Sequence, residues 1–506
     1  MATSQKILAA VRSNWWLNLA GLVLSFGASV VLVRAVRPEL YAQYAAVMAI
    51  IGLATFIFEA GANGGLTRYL TEAGQQNARG TFYRRMQRRR WLAAIICGVA
   101  LIAAGPRYAR SAHFDSLAAN PWLFLLIAGI VTASLVWLLA HYGLLALFEP
   151  KIALLYQQGF LVLRSVTLAL IALAGGTLLH LVAGLLAIQV LQAFLVDRRL
   201  WKLIGTERAP LAGAFVNRAQ RFGLLTIFDK ACALLGSGMV LLLVLAPHQS
   251  AVQMALLGLA VDLVGKLMSV TVMPMGNLVA PYLSQTGDAP EAQGLAAARV
   301  AKLSSLLYSF SVGAGALLLP WFVPAVYGVG YHEAAWLALL LLVPAAFENW
   351  IRGCCSPALL RTGRYRELLR VNVLQAVVTL AVLALVHRQP VASAIYAVGA
   401  ARAAVAALNL IAFRRIVPAG SGRVPLLGAF VGALACALAS VCGPLLPLPA
   451  AACAVVQGLV FALVFYAGLR WLVFRDADTL HLARRIAGQR IKVLSLLLPA
   501  APASAA

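Results

Sequence analysis

The sequence reads as an all-α polytopic membrane protein with about fourteen transmembrane helices. Three features carry that reading. Of the 506 residues, 62% are apolar and only 11% are charged, whereas a soluble globule is roughly 45–50% apolar and about 25% charged. The apolar residues gather into runs that match a bilayer core of about 30 Å, which takes roughly 20 helical residues to cross. Basic residues then alternate between rich and poor connections along the chain. A mean hydropathy of +0.88 also excludes a disordered chain, because disorder requires low hydrophobicity. A membrane barrel is excluded by the lack of alternating segments of about 10 residues.

The first six runs lie at 14–36, 44–66, 91–105, 121–147, 152–174 and 178–197. Six more follow at 221–246, 251–275, 301–325, 334–351, 369–387 and 392–413, and the last two at 425–443 and 450–474. Lys6 and Arg12 precede the first run as they would a signal peptide. Its apolar stretch from Trp15 to Val33 exceeds the usual h-region of about 7–15 residues. We therefore expect a retained first helix.

Charge placement sets the topology. The chain carries 41 Lys and Arg against 16 Asp and Glu, a formal net charge of +25. In a soluble protein that surplus would suggest nucleic acid. With a cytoplasmic N-terminus and fourteen crossings, 31 of the 41 basic residues fall on the cytoplasmic side. Seven of these lie in 67–90, and the outer loops hold only Arg34, Arg37, Arg107, Arg110 and Arg388. This is the positive-inside pattern. It implies a multi-pass membrane protein with both termini cytoplasmic, and no nucleic-acid partner.

The seven cysteines, at 97, 232, 354, 355, 436, 442 and 453, lack the close pairing of a zinc site and read as small apolar filler. The longest connections, at 67–90, 198–220 and 276–300, leave no room for a folded soluble domain. No nucleophile–base set, metal cluster or phosphate-cradling glycine loop is evident, so we expect neither an enzyme nor a cofactor.

An internal repeat supports a two-lobed organisation. Arg37-Pro38-Glu39-Leu40-Tyr41-Ala42-Gln43 after helix 1 is echoed by Pro247-His248-Gln249-Ser250-Ala251-Val252-Gln253 after helix 7. Tyr69-Leu70-Thr71-Glu72 is echoed by Tyr282-Leu283-Ser284-Gln285, and Ala146-Leu147-Phe148-Glu149 by Ala358-Leu359-Leu360-Arg361. A spacing of about 210 residues is common to the three. The expected plan is a six-helix lobe at 1–200, a second at 201–415, helices 13 and 14 at 416–475, and a tail at 476–506. Six helices per unit make the repeats parallel, an arrangement found in secondary transporters. In the tail, Arg484, Arg485, Arg490 and Lys492 alternate with Leu480, Ile486, Val493 and Leu494, the pattern of an amphipathic helix lying on an anionic leaflet. The final residues read as disordered.

Two stretches carry a family resemblance. Arg34-Ala35-Val36-Arg37-Pro38-Glu39-Leu40-Tyr41-Ala42-Gln43-Tyr44 resembles the first-loop pattern of polysaccharide exporters and flippases of the multidrug/oligosaccharidyl-lipid/polysaccharide (MOP) superfamily. In that pattern a base, a proline, an acid and a Tyr-Gly-x-Tyr precede helix 2; Ala42 stands here where glycine is usual. Glu59-Ala60-Gly61-Ala62-Asn63-Gly64-Gly65-Leu66-Thr67-Arg68-Tyr69-Leu70 is similar to the family's glycine-rich helix end and Arg-Tyr pair. The resemblance implies a flippase that moves undecaprenyl-pyrophosphate-linked oligosaccharide to the outer leaflet by rocking two lobes around a cavity. It further implies a place in the bacterial inner (plasma) membrane and a role in O-antigen, capsule or exopolysaccharide synthesis. Its partners would be the lipid-linked oligosaccharide, membrane lipids, and the glycan polymerase and chain-length proteins. Helices 13 and 14 form a lipid-tail groove in some members.

Charges within the apolar runs are the candidate site, since each costs at least about 2.5–3.5 kcal/mol at the bilayer centre. The basic ones are Arg164, Lys230, Lys266 and Arg402, and the acids are Glu59, Asp229, Asp262 and Glu348. Arg470 lies near a helix end, where it can snorkel. Cationic side chains replace the hydration of a pyrophosphate, which makes Lys230, Lys266, Arg164 and Arg402 the substrate-binding candidates. Glu59, Asp229 and Asp262 are the candidates for ion coupling. Asp262 and Lys266 share a helix face at i,i+4, so mutual neutralisation is an equal reading. Asp229 and Lys230 point about 100° apart, so at least one of them needs a partner elsewhere. Arg34 and Arg37 read as interfacial anchors, as do Trp15, Trp16, Trp91, Trp122 and Trp321. Trp137 reads as packing or sugar stacking, and His141 as a packed residue.

Two alternatives stay open. A cation-coupled small-molecule exporter of the same superfamily should have an acid-dominated cavity. A membrane glycan polymerase or ligase should have a long outer loop with catalytic residues.

Overall fold

The computed structural model describes residues 20–59, 62–147, 149–205, 207, 209–235, 237–271, 290–361, 364–417, 423–445 and 450–473. The protein is an all-α polytopic membrane protein, and no strand occurs among the described residues. After α1 (Ala20–Ala35) come α2 (Pro38–Glu59), α3 (Ala62–Gln75), α4 (Arg79–Ser111), the short α5 (Asp115–Ala119), α6 (Trp122–Ala146), α7 (Pro150–Leu173) and α8 (Leu178–Ile204). Next come α9 (Gly213–Leu234), α10 (Gly238–Leu245), α11 (Ala251–Thr271), α12 (Pro290–Tyr327) and α13 (His332–Arg361). The last are α14 (Tyr365–Val386), α15 (Val391–Arg414), α16 (Arg423–Leu445) and α17 (Ala450–Gly468), which closes in a π-helical turn, Leu469–Val473.

Eleven of the described helices are long and apolar enough to cross a membrane. Ala20–Ala35, Gly238–His248 and Pro425–Val441 are shorter apolar helices, so every apolar run in the sequence holds one. Proline sits inside α4 (Pro106) and α12 (Pro320 and Pro324). In a bilayer, neighbouring helices can meet the backbone groups that proline frees.

Two local expectations are corrected. The expected loop at 67–90 is almost entirely helical: α3 runs to Gln75, α4 starts at Arg79, and only residues 76–78 turn between them. Asn77 makes that turn at φ 54°, a left-handed conformation that asparagine tolerates. The expected loop at 198–220 likewise shrinks, because α8 continues to Ile204 and α9 starts at Gly213. Bilayer thickness limits the apolar run, not the helix, and arginine is a good helix former. Second, the run at 221–246 is not one helix. Leu234 ends α9, and α10 starts at Gly238. The Ser237 hydroxyl caps it, accepting from the Val240 N–H at 3.4 Å. The sequence Gly236-Ser237-Gly238 is poor in helix propensity, and the serine offers an N-cap.

The chain divides into two compact units, one of Met1–Val261 with Ala376–Ala394, the other of Asp262–Gln375 with Ile395–Ala506. In the first unit α6 is the central helix. Its apolar window is 61% buried, against 17% for α4 and for α7. Leu123, Phe124, Ile127, Ile130 and Leu135 on α6 are sealed, while α4 turns Leu92, Ile95, Ile96 and Val99 outward, as a lipid-facing helix does. In the second unit α12 packs on α13, α16 and α17. Gly428 and Gly432 on α16 let it approach α12, for a Cβ on Gly432 would lie 3.1 Å from the Ser309 carbonyl oxygen. Phe310, Phe461 and Phe465 close the α12–α17 contact, with ring centroids 5.5–5.7 Å apart.

Helix boundaries recur along the chain. The series α2, α4, α6, α7, α8 is followed, roughly 212 residues later, by α11, α12, α13, α14, α15 with closely similar lengths.

Candidate functional site

In the first unit the buried charges meet where α2 ends. Glu59, its last residue, is 8% exposed, and Arg90 on α4 is 6% exposed. Arg90 Nη2 donates to the Glu59 carbonyl oxygen at 2.9 Å. That oxygen belongs to a helix C-terminus, where carbonyls lack intrahelical donors and a cation is favoured. The Tyr142 hydroxyl of α6 hydrogen-bonds the Glu59 side chain. Beside it His141 is buried, 5.4 Å from the Trp137 ring and 5.5 Å from the Tyr142 ring, in keeping with a packed histidine. Trp137 itself is half-buried.

Nearer the start of α4 a polar cluster joins it to α8. The Tyr83 hydroxyl donates to Asp197 Oδ1 at 2.6 Å, and Gln87 Nε2 to the same oxygen at 3.3 Å. Arg84 lies over the Trp201 ring, 5.4 Å from its centroid. Ion pairs Arg79–Glu207 (3.2 Å) and Arg218–Glu72 tie the starts of α4 and α9 to neighbouring elements.

In the second unit Lys266 Nζ donates to Asp262 Oδ2 at 2.6 Å, within α11. A closed polar ring spans α13, α14 and α15. Arg402 grips Glu348 through Nε at 2.9 Å and Nη2 at 2.6 Å. Arg352, one turn along α13, places Nε 2.9 Å from the same carboxylate. Arg352 Nη2 donates to Gln375 Oε1 at 2.7 Å, and Gln375 Nε2 to the Arg402 carbonyl at 3.3 Å. Glu348, Gln375 and Arg402 are all buried. Two guanidiniums on one carboxylate leave this group one positive charge in excess.

The sequence candidates therefore fall into distinct situations. Glu59 lies with Arg90 and Tyr142. Asp262 and Lys266 pair with each other. Arg402 is held by Glu348. Arg164 is half-buried on α7. Asp229 and Lys230 lie on α9, and their side chains are outside the described residues. Arg34 and Arg37 are exposed. The tail at 476–506 is also outside the described residues.

Two arginines were read from sequence as orientation charges and belong to the buried network instead, Arg90 and Arg352. The available signal was helical phase. Arg90 continues to Ala94 and Cys97, which are buried, whereas Arg89 is exposed. No three His, Cys, Asp or Glu among the described residues are grouped to hold a metal ion.

A cavity of about 1320 Å³ opens within the second unit between α12, α13, α15 and α16. Tyr308, Val343, Phe347, Trp350, Phe413 and Leu426 supply much of its apolar wall, and Arg414 places a cation in the lining.

Fourteen apolar helices among the described residues, eleven of them long enough to cross a membrane, with ion pairs buried between some of them, define a multi-pass membrane protein. The fold is shared with solved structures of membrane transporters and of a lipid flippase. A structure of the lipid II flippase MurJ, in an inward closed conformation, matches with a TM-score of 0.68 over 91% of this chain and 98% of its own, at 11% identity. An inward-facing multidrug resistance MATE transporter of the MOP superfamily matches at 0.59 over 79% of this chain and 97% of its own, at 13% identity. A Vibrio cholerae MATE transporter matches at 0.50 over 82% and 98%, also at 13% identity. No protein-family model and no curated protein sequence matches the chain.

Proposed function

We propose that the chain flips an undecaprenyl-pyrophosphate-linked oligosaccharide across the bacterial inner membrane by alternating access, feeding synthesis of a surface polysaccharide. The observation that carries this reading is the apolar cavity of about 1320 Å³ walled in part by α16, with Arg414 in its lining. A slot of this kind suits a polyprenyl chain, whose only strongly polar part is its phosphate end, and arginine suits phosphate oxygens through paired donors. The likeness to a lipid flippase takes in a larger share of the chain than the likenesses to drug exporters, which also favours a lipid-linked cargo.

In this reading the recurrence of helix boundaries reflects two six-helix lobes, 1–200 and 201–415, with residues 416–475 as an appended pair and both termini in the cytoplasm. Lys230, Lys266, Arg164 and Arg402 supply the positive field for the pyrophosphate. Glu59, Asp229 and Asp262 carry the coupling ion. Glycan polymerase and chain-length proteins take the product onward. The cation-coupled exporter remains the second reading, favoured by the two MATE likenesses.

Deleting the gene tests the choice. Repeat units that accumulate on the carrier at the cytoplasmic face support flipping. Units that accumulate after crossing, unpolymerised, point to a polymerase or ligase and overturn the proposal.

A further inference from the structure

The outward face of α4 changes character in a single step. Leu92, Ile95, Ile96 and Val99 are exposed along one stripe, and Arg84, Arg85, Arg88 and Arg89 are exposed on the two turns before it. By the periods of three and four, Arg85, Arg88 and Arg89 continue the stripe itself. α8 repeats the device in reverse. Val190, Leu191 and Phe194 are exposed, and the same face continues to the exposed Arg198 and Lys202. Both helices thus exchange hydrocarbon contact for positive charge, and they do so side by side, since Tyr83 and Gln87 bond Asp197 and Arg84 covers Trp201.

This is more charge than a helix carries comfortably. Arg84 with Arg88, and Arg85 with Arg89, are like-charge pairs at i,i+4, a spacing that destabilises a helix. The neighbouring carboxylate is held by a tyrosine and a glutamine. Trp91, 50% exposed at the start of the apolar stripe, marks the level where a tryptophan meets headgroups. A basic cluster at that level, flanked by hydrocarbon-facing side chains, is complementary to one molecule in particular, a lipid with an anionic head.

We propose that the α4–α8 face is a binding site for an anionic phospholipid, its phosphodiester held by Arg84, Arg88 and Arg198 and its acyl chains lying along Leu92, Ile95 and Phe194. The bound phosphate relieves the repulsion among the arginines, and the lipid stays with the first unit as part of its surface. Attraction of this kind is screened by salt.

The test is lipid binding by purified protein, with palmitoyl-oleoyl phosphatidylglycerol and phosphatidylcholine compared by native mass spectrometry. The wild type prefers phosphatidylglycerol. In Arg84→Gln/Arg88→Gln/Arg198→Gln each lost charge lowers that affinity about fivefold, the equivalent of about 1 kcal/mol per basic residue near a membrane surface. Arg107→Gln/Arg110→Gln, at the other end of α4, leaves it unchanged. Equal binding of the two lipids by the wild type, full binding by the triple variant, or equal loss in the control variant overturns the proposal. Raising salt from about 50 to about 500 mM reduces phosphatidylglycerol retention by the wild type; retention that ignores salt overturns it as well.

Discussion

Arg402 and Glu348, 54 residues apart in sequence, form a buried two-pronged ion pair with contacts of 2.6 and 2.9 Å. Arg352 reaches the same carboxylate from one turn away, so Glu348 is the counter-charge of both arginines. Removing one partner of a buried pair strands the other, at a typical cost of about 3–5 kcal/mol. Glu348→Ala should therefore lower the melting temperature in detergent sharply, and Glu348→Ala/Arg402→Met should recover part of the loss. A double variant as unstable as the sum of its two single changes contradicts this account.

Lys266 is a test of the cationic field proposed for the substrate. It is bonded to Asp262, which admits two roles, neutralising the acid or meeting the substrate. If the substrate needs the cation, Lys266→Ala abolishes glycan export and Asp262→Asn/Lys266→Ala stays inactive. Export restored in the double variant assigns Lys266 to charge neutralisation alone. Lys230→Ala should lose export too, and full activity in both single variants removes the cationic-field proposal.

Arg89 and Arg90 are neighbours with opposite surroundings, one exposed and the other 6% exposed and bonded to the Glu59 carbonyl. Arg90→Ala should cost about 1–3 kcal/mol for the buried acceptor left behind. Arg89→Ala should stay within about 0.5 kcal/mol, as surface changes do. Parallel thermal melts decide the point, and equal shifts refute it.

Gly432 sets how closely α16 lies on α12. A Cβ there stands 3.1 Å from the Ser309 carbonyl oxygen and 3.2 Å from the Ser309 Cβ, and both residues line the cavity. Gly432→Leu should force the helices apart at a cost of about 1–3 kcal/mol and weaken binding of a prenyl-diphosphate probe. Gly458→Ala, where an added Cβ meets nothing within 4 Å, is the matched control and should bind normally.

Much of the architecture is legible in the sequence, and particular residues show why. Hydrophobic thickness is a one-dimensional property, so runs such as 121–147 located α6 within a residue or two of Trp122–Ala146. Helix ends were less legible. A basic residue ends an apolar run while continuing a helix, as Arg84 to Arg90 do in α4. The interruption between Leu234 and Gly238 escaped the same reading, because hydropathy does not register a local break in backbone hydrogen bonding.

Local spacing was enough for contacts made within one helix. Asp262 and Lys266 lie i,i+4 and meet. Contacts between helices had no such marker. Glu348 and Arg402 each stood out in the sequence as a costly charge, but their union depends on how α13 and α15 are rotated against each other, which packing sets. Arg90 and Arg352 were hidden because a count of basic residues treats all arginines alike, while burial separates them. Composition and run length thus settled that the chain is an all-α membrane protein and where its apolar helices lie. Which charges are spent on one another was decided by helix packing, since an ion pair forms only where two side chains are brought within about 4 Å.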